Sequence, residues 1–311
     1  MPDRRFEFLS ISSDAGLPEP GAETMAALHD IVDEGVLGAS NHVALALPLV
    51  ARVAASGRAT AREEALAVAR FIAGTRGIAA PIVANALTWQ TEGVEGLASE
   101  AAADVLRDRA ARWDREAKAR RATLLSRAAQ TLSACRSPLI HDYSSTVADI
   151  IRALGPGLDR IVMTESRAID GGRRYMTALA DLGVPIVFLP DAALDWAVAR
   201  CDAVLLGAES VSLDGGVSNT IGSVMAARAG QAHGVPVYGA ADLFKVGPRP
   251  ASEIPPPPLR SYPFLLREGE TASTEAPELE IVPPDLVTAI LTELGPIAPS
   301  DLAGALATRL P

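Results

Sequence analysis

The stretch from Asp202 to Leu243 constrains the fold more than any other part of the chain. It reads D-A-V-L-L-G-A-E-S-V-S-L-D-G-G-V-S-N-T-I-G-S-V-M-A-A-R-A-G-Q-A-H-G-V-P-V-Y-G-A-A-D-L. The apolar run Ala203 to Leu206 stops at Gly207, and Glu209 follows at once. A turn through Asp214, Gly215 and Gly216 leads into an Ala-rich pattern that predicts a helix from about Asn219 to His233. Gly234 supplies its stop, and a second buried run, Val235 to Tyr238, begins. Strand, loop, helix and strand make one crossover unit of a parallel sheet. Ligands of such sheets gather just beyond the carboxyl ends of the strands, where Glu209 and Asp242 fall.

The same texture extends backwards to Ser137-Pro138. Leu139-Ile140, Arg160 to Met163 and Val184 to Leu189 are further short apolar runs separated by helical segments. This alternation predicts an α/β fold with a doubly wound, Rossmann-like parallel sheet over residues 131–311. Each run is followed by a carboxylate: Asp142 after His141, then Glu165, Asp191, Glu209 and Asp242. One such residue would be an ordinary helix cap, whereas five together suggest a polar cleft.

Residues 1–130 carry a different pattern. An irregular start with breakers at Pro18 and Pro20 gives way to helical spacing from Glu23, from Ala39-Ser40, from Arg62 to Ala73 and from Ala80 to Trp89. A very long helical region then runs from Glu92 to about Cys135. Its segment W-D-R-E-A-K-A-R-R reads as a solvated face. This is a helical N-terminal domain. Beyond the sheet, the prolines from Pro248 to Pro263 exclude helix and central strand and predict an extended arm. The run I-V-P-P-D-L-V-T-A-I-L-T-E-L-G predicts a last strand, a proline-started helix and a glycine stop.

A chain of 311 residues with net charge −10 does not predict direct nucleic-acid binding. M-P-D-R-R-F-E-F lacks a signal-peptide core, and no run reaches membrane-spanning length, so a soluble cytoplasmic protein is expected. Cys135 and Cys201 have no metal-ligand spacing, and no His-rich spacing accompanies Glu209. Neither a metal nor a cofactor is expected.

Several motifs strongly resemble one known family. They are G-A-E-S-V-S-L-D-G-G-V-S-N-T-I-G-S, H-G-V-P-V-Y-G-A-A-D-L-F-K and V-P-P-D-L-V-T-A-I-L-T-E-L-G. Together they resemble the alpha, beta and delta subunits of eukaryotic translation initiation factor 2B. That family also holds 5-methylthioribose-1-phosphate isomerase and ribose-1,5-bisphosphate isomerase. Thr164 to Arg167 with Gly172-Arg173 is similar to its E-T/S-R-P-x-x-x-G-R/K segment. Ile140 to Ser145 stands where the family has T-H-C-N or T-H-S. Asp30 to Ala39 and Thr75-Arg76 are similar to its V-R-G-A and T-R-P segments.

The resemblance implies a helical domain on a Rossmann-like domain that dimerises, so a homodimer or higher homo-oligomer is expected. It also implies isomerase chemistry at the Cys of T-H-C-N and the Asp of G-A-D, where this chain has Asp142 and Glu209. On the phosphate side the chain carries Leu37, Gly171 and Thr220 in place of Arg, Gln and Lys.

Two readings follow. In one, Asp142 and Glu209 face each other across a cleft and divide the roles of base and acid in an aldose–ketose isomerisation. Arg76, His141, Ser144, Arg167 and Asn219 would then bind a sugar or sugar-phosphate-like substrate. In the other, the chain is a catalytically silent metabolite-binding subunit, like the initiation-factor alpha subunits that also have G-A-E and no Cys after the His. Each residue also has a plainer role open to it. Asp142, Ser144 and Asn219 could cap helices, and His141 could be a satisfied core histidine.

Overall fold

The structure is a computed structural model and describes residues 5–33 and 39–307. Two compact units divide the chain, Met1–Ala119 and Arg120–Pro311. The first holds helices α1 (Arg5–Asp14), α2 (Ala22–Val32), α3 (Ala39–Ala54), α4 (Ala61–Ala79) and α5 (Pro81–Thr91). Helix α6 (Ser99–Thr131) runs across the division.

The opening of the chain departs from expectation. Arg5–Asp14 is helical rather than irregular, because Phe8 has an apolar site to fill. Its side chain is 2% exposed, with its ring centroid 5.0 Å from that of Phe71 in α4. Pro18 and Pro20 do act as breakers, but after this helix. Pro81 begins α5, where its missing N–H costs nothing.

The second unit continues with β1 (Pro138–His141), α7 (Ser145–Leu154), β2 (Ile161–Thr164), α8 (Gly171–Leu179), β3 (Ile186–Leu189), α9 (Leu194–Val198) and β4 (Ala203–Leu206). Next come β5 (Ser210–Val211), β6 (Val217–Thr220), α10 (Ser223–His233) and β7 (Val237–Ala240). The end of the unit is formed by β8 (Leu259–Ser261), β9 (Glu275–Pro277), β10 (Leu279–Val282), β11 (Ala289–Thr292), β12 (Gly295–Ile297) and α11 (Leu302–Ala307).

The main sheet has the order β12-β11-β7-β4-β1-β2-β3, parallel except where β12 turns back along β11. Alternate side chains of each strand enter opposite cores. Leu139, Val162, Val204, Leu206 and Ile290 pack with Leu194, Val198, Ala226 and Ala227 of α9 and α10. Ile140, Ile161, Met163, Leu205 and Leu291 pack with Val147, Ile151, Tyr175 and the α6 residues Leu124 and Ala128. A sheet buried on both faces needs apolar residues at every position, which is why its strands read as continuous Val, Ile and Leu runs.

Two elements differ from their sequence-based assignments. Asn219 does not begin a helix. Val217–Thr220 is a strand, antiparallel to Leu279–Val282, and α10 starts only after Gly222, whose φ of 103° ends the extended segment. The helix expected after Pro283-Pro284 is a single 3-10 turn, Pro284–Leu286, and A-I-L-T then forms strand β11. A four-residue apolar run fits either period, and the open parallel edge of β7 decides the outcome. The proline-rich segment is extended apart from a 3-10 turn at Ala251–Glu253, and it leads into a short β8–β9 hairpin. Among the described residues no helix is long and apolar enough to cross a membrane.

Burial pushes the thiols of Cys135 and Cys201 up to about 11. The thiolate is the reactive form, so both should alkylate slowly at pH 8 and speed up only as the pH nears that value. Measuring iodoacetamide labelling against pH, with urea-unfolded chain as the fast reference, checks this. Rapid labelling of the folded chain at pH 8 would contradict it.

Candidate functional site

Strand order marks the topological switch point of this sheet. From β1 the chain winds outward through β2 to β3, then returns to β4 on the other side of β1 and winds outward again through β7 to β11. The connections after β1 and β4 lead to helices on opposite faces, α7 and α10, and the two loops touch at Gly207 and Ser144; ligands of α/β sheets bind at such a switch point. Asp142 directly follows β1, and Glu209 lies in the loop between β4 and β5.

Asp142 is held tightly. Its backbone is left-handed, φ 60°, and the residue is 6% exposed. The hydroxyl of Thr220 donates to Oδ2 at 2.6 Å, and that of Ser166 reaches Oδ1 at 3.4 Å. Gly171 closes the remaining side: a Cβ there would stand 2.1 Å from Asp142 Oδ1. Thus two of the positions that depart from the resembled family's pattern, Gly171 and Thr220, both lie against another of them, Asp142. Among the described residues Asp142, Ser166 and Asp170 are the three non-glycine residues with positive φ. All belong to the loops after β1 and β2. Such strain persists only where surrounding contacts enforce it, and it concentrates at functional sites.

His141 is fully buried and fixes the loop from behind. Its Nε2 donates to the Ile221 carbonyl at 3.0 Å, and Nδ1 lies 2.6 Å from Thr164 Oγ1. Because a carbonyl can only accept, Nε2 carries a proton, and the ring ties the ends of β1 and β2 to the turn before α10. Ser144 caps α7: its Oγ accepts from Val147 N at 3.4 Å, and its own N–H donates to the hydroxyl of buried Tyr175 at 3.0 Å. Burial pushes the Tyr175 phenol well above its ordinary range, so it stays protonated. Asp142 is therefore not the α7 cap.

The remaining candidates divide. Asn219, 5% exposed, donates through Nδ2 to Ser223 Oγ at 2.9 Å. Gly207 brings it close to Ser144: a Cβ on Gly207 would meet Ser144 Cβ at 2.5 Å and Asn219 Oδ1 at 3.6 Å. Asp142, Ser144 and Asn219 thus gather at the switch point. Glu209 is exposed, with its backbone N–H on the Ser218 carbonyl. Arg167 is exposed too. Its N–H donates to Asp191, and its guanidinium stands 5.1 Å from the Phe264 ring centroid. Arg76 belongs to the first unit, where Nε donates to His42 Nδ1 at 2.8 Å. Leu37 lies outside the described residues.

Gly207→Ala should move Ser144 and disorder the crevice at a cost of about 1–3 kcal/mol, the range for overpacking a tight site. Urea unfolding measures this, and an unchanged midpoint would contradict the packing described.

Sequence reasoning missed Ser166 and Tyr175, because the contacts they make join distant segments. It also missed Glu280 and Glu293. Glu280 accepts from Gly222 N at 2.7 Å and Val224 N at 2.8 Å. Glu293 follows β11, the strand read as helix, and so marks a further acidic strand end. It is 5% exposed and accepts from Leu243 N at 3.1 Å.

Beside Glu293, Asp242 titrates above its ordinary range. Burial is the main cause and the Glu293 charge the second, opposed by Arg120 and Lys245. A raised carboxyl supports the fold below the ordinary carboxylate range and loses that contribution as pH rises. Asp242→Asn, whose amide oxygen can still accept from Phe244 N, should therefore unfold at higher urea than wild type at pH 7. The gain should vanish near pH 3, and an equal gain at both values would contradict the linkage. Among the described residues no group of three or more His, Cys, Asp or Glu side chains could hold a metal ion.

A family model described as "Initiation factor 2 subunit family" matches residues 42–299. The chain belongs to this family. Among curated relatives, translation initiation factor eIF2B subunit alpha of Caenorhabditis elegans is 29% identical over 63% of this chain and 65% of its own length. Ribose 1,5-bisphosphate isomerase of Pyrococcus furiosus is 26% identical over 52% of each. The chain thus spans about half to two thirds of the length of these family members. A solved family structure, the translation initiation factor eIF-2B of Pyrococcus horikoshii, superposes with a TM-score of 0.73. It is 21% identical and covers 91% of this chain and all of that one. Methylthioribose 1-phosphate isomerase from the same organism superposes at 0.65, with 19% identity over 92% of this chain and 86% of that one. These likenesses establish the fold, a helical N-terminal region followed by a mostly parallel sheet.

Proposed function

We propose that this chain binds a sugar or sugar-phosphate-like metabolite at the β1/β4 crevice and isomerises it between aldose and ketose forms. The observation that carries the reading is the placement of a strained, buried carboxylate, Asp142, at the topological switch point of the sheet. In the open-chain aldose Asp142 takes the proton from C2. The C2–H electrons form the C1=C2 bond of an enediol as the aldehyde oxygen is protonated, with Glu209 as the proton donor. Return of the proton from Asp142 to C1, with transfer of the C2-hydroxyl proton to Glu209, gives the ketose and restores both carboxyl groups. No oxidant or reductant is consumed. Ser144, Asn219, His141 and Arg167 are the further residues of the second unit we assign to binding or to shaping the site.

A second reading, a silent metabolite-binding subunit, is favoured by the existing bonds of Asp142 to Thr220 and Ser166. It is favoured also by the similarity to eIF2B subunit alpha.

Thermal-shift screening against sugars and sugar phosphates tests the common part of both readings. A ligand at 100 times its dissociation constant adds about 2.7 kcal/mol to stability, so a true ligand should raise the melting temperature by several degrees. No stabilisation by any compound at millimolar concentration would remove the binding claim. Solved relatives include a tetrameric assembly of eIF2B beta and delta subunits. We propose that this chain forms a homodimer through its second unit, burying at least about 1,000 Å². A monomer by light scattering at micromolar concentration would reject that.

A further inference from the structure

We infer that the crevice selects an uncharged polyol and discriminates against its phosphate ester. This inference rests on the reading that the β1/β4 switch point is a ligand site. Phosphate is ordinarily received by free N–H groups at helix N-termini and by Arg or Lys forks. Around this switch point the chain has already supplied acceptors of its own to such donors, carboxylates at two places and neutral oxygens at two others. At α10, one oxygen of Glu280 takes both the Gly222 and Val224 N–H groups, at 2.7 and 2.8 Å. In the loop after β2, Asp191 takes Ser166 N and Arg167 N at 2.9 and 2.8 Å. At α8, Gly171 N and Gly172 N donate to the carbonyls of Ser166 and Glu165. At α7, Ser144 occupies the capping position through its own hydroxyl.

Asp142 adds a third carboxylate, 6% exposed, between the α10 turn and the N-terminal end of α8. Three basic side chains of the neighbouring loops have partners of their own. Arg167 stands over Phe264, Arg173 lies 3.4 Å from Asp170, and Lys245 donates to the Ala208 carbonyl at 2.5 Å. A phosphate dianion entering here meets fixed negative charge in a poorly hydrated setting, where repulsion is strong. A hydroxyl meets acceptors. Asp142 already bonds two aliphatic hydroxyls, those of Thr220 and Ser166, which is the arrangement a sugar diol would make with the same carboxylate.

The test titrates the full chain calorimetrically with D-ribose, D-ribulose, D-glucose and D-fructose, with a phosphate ester of each, and with inorganic phosphate. At least one free sugar should bind tenfold or more tightly than its ester, with little dependence on salt and no response to inorganic phosphate. Asp142→Asn removes one charge and keeps the shape, so it should move the ester-to-sugar affinity ratio severalfold towards the ester. An ester that binds more tightly than its sugar, and weakens as salt is added, would overturn the inference while leaving the ligand site intact. An unchanged ratio in Asp142→Asn would overturn its electrostatic basis. Binding of no sugar and no ester would defeat the reading of the site itself, and the inference with it.

Discussion

Replacing Asp142 by Asn is expected to lower the isomerisation rate by roughly 10²-fold or more, the scale of general acid–base catalysis. Free-sugar affinity should change only a few fold. The amide keeps the outline of the carboxylate, and its oxygen can still accept from Thr220, which lies 2.6 Å from Oδ2. It cannot take a proton from carbon. The loss should therefore appear in kcat and not in KM, the sign that a transition-state interaction has been removed. A melting temperature near that of wild type would separate this effect from damage to the fold. If Asp142 only shapes a silent binding site, wild type has no rate to lose, and the substitution alters affinity or assembly alone.

Gly222→Ala should destabilise the second unit by about 2–6 kcal/mol, combining about 1–3 for a strained backbone with about 1–3 for overpacking. Gly222 has φ 103°, and an added Cβ would stand 2.5 Å from His141 Nε2 and 2.8 Å from Cε1. The ring cannot yield, since it is fully buried and bonded to Ile221 on one side and Thr164 on the other. Gly304→Ala is the control, because nothing lies within 4 Å of a Cβ there. Urea midpoints of the two variants measure the difference, and equal midpoints would contradict the role given to His141.

Much of this architecture is legible in the sequence because a sheet buried on both faces leaves an unmistakable trace. Val and Ile runs at β2, β3, β4 and β7 announce themselves, and Gly234 ends α10 with φ 69° as its position in the sequence predicts. Strands β6 and β11 are not legible. V-S-N-T of β6 has no apolar run and leads into a helical pattern, and A-I-L-T of β11 follows a Pro-Pro pair that reads as a helix start; their partners, Leu279–Val282 for β6 and β7 for β11, decide the state of each.

The site follows the same division. Asp142, Ser144 and Asn219 are visible because they follow a strand or stand at a glycine-marked turn. What surrounds them is not. Thr220 reaches Asp142 across 78 positions, and Glu280 reaches Gly222 across 58. The left-handed backbone at Asp142, Ser166 and Asp170 has no glycine to betray it. Thr220 and Gly171 appear in the sequence as separate departures from a family pattern, and only the fold brings both against one carboxylate.

The central claim, that Asp142 moves a carbon-bound proton at the switch point, is tested most directly by hydrogen exchange with solvent. A sugar found to bind would be incubated with the chain in D2O and followed by proton NMR at C1 and C2. Wild type should wash deuterium into these positions and interconvert aldose and ketose, while Asp142→Asn should bind the same sugar with exchange slowed at least 10²-fold. A sugar that binds wild type but exchanges no faster than in buffer would contradict the claim, and so would equal exchange by wild type and Asp142→Asn.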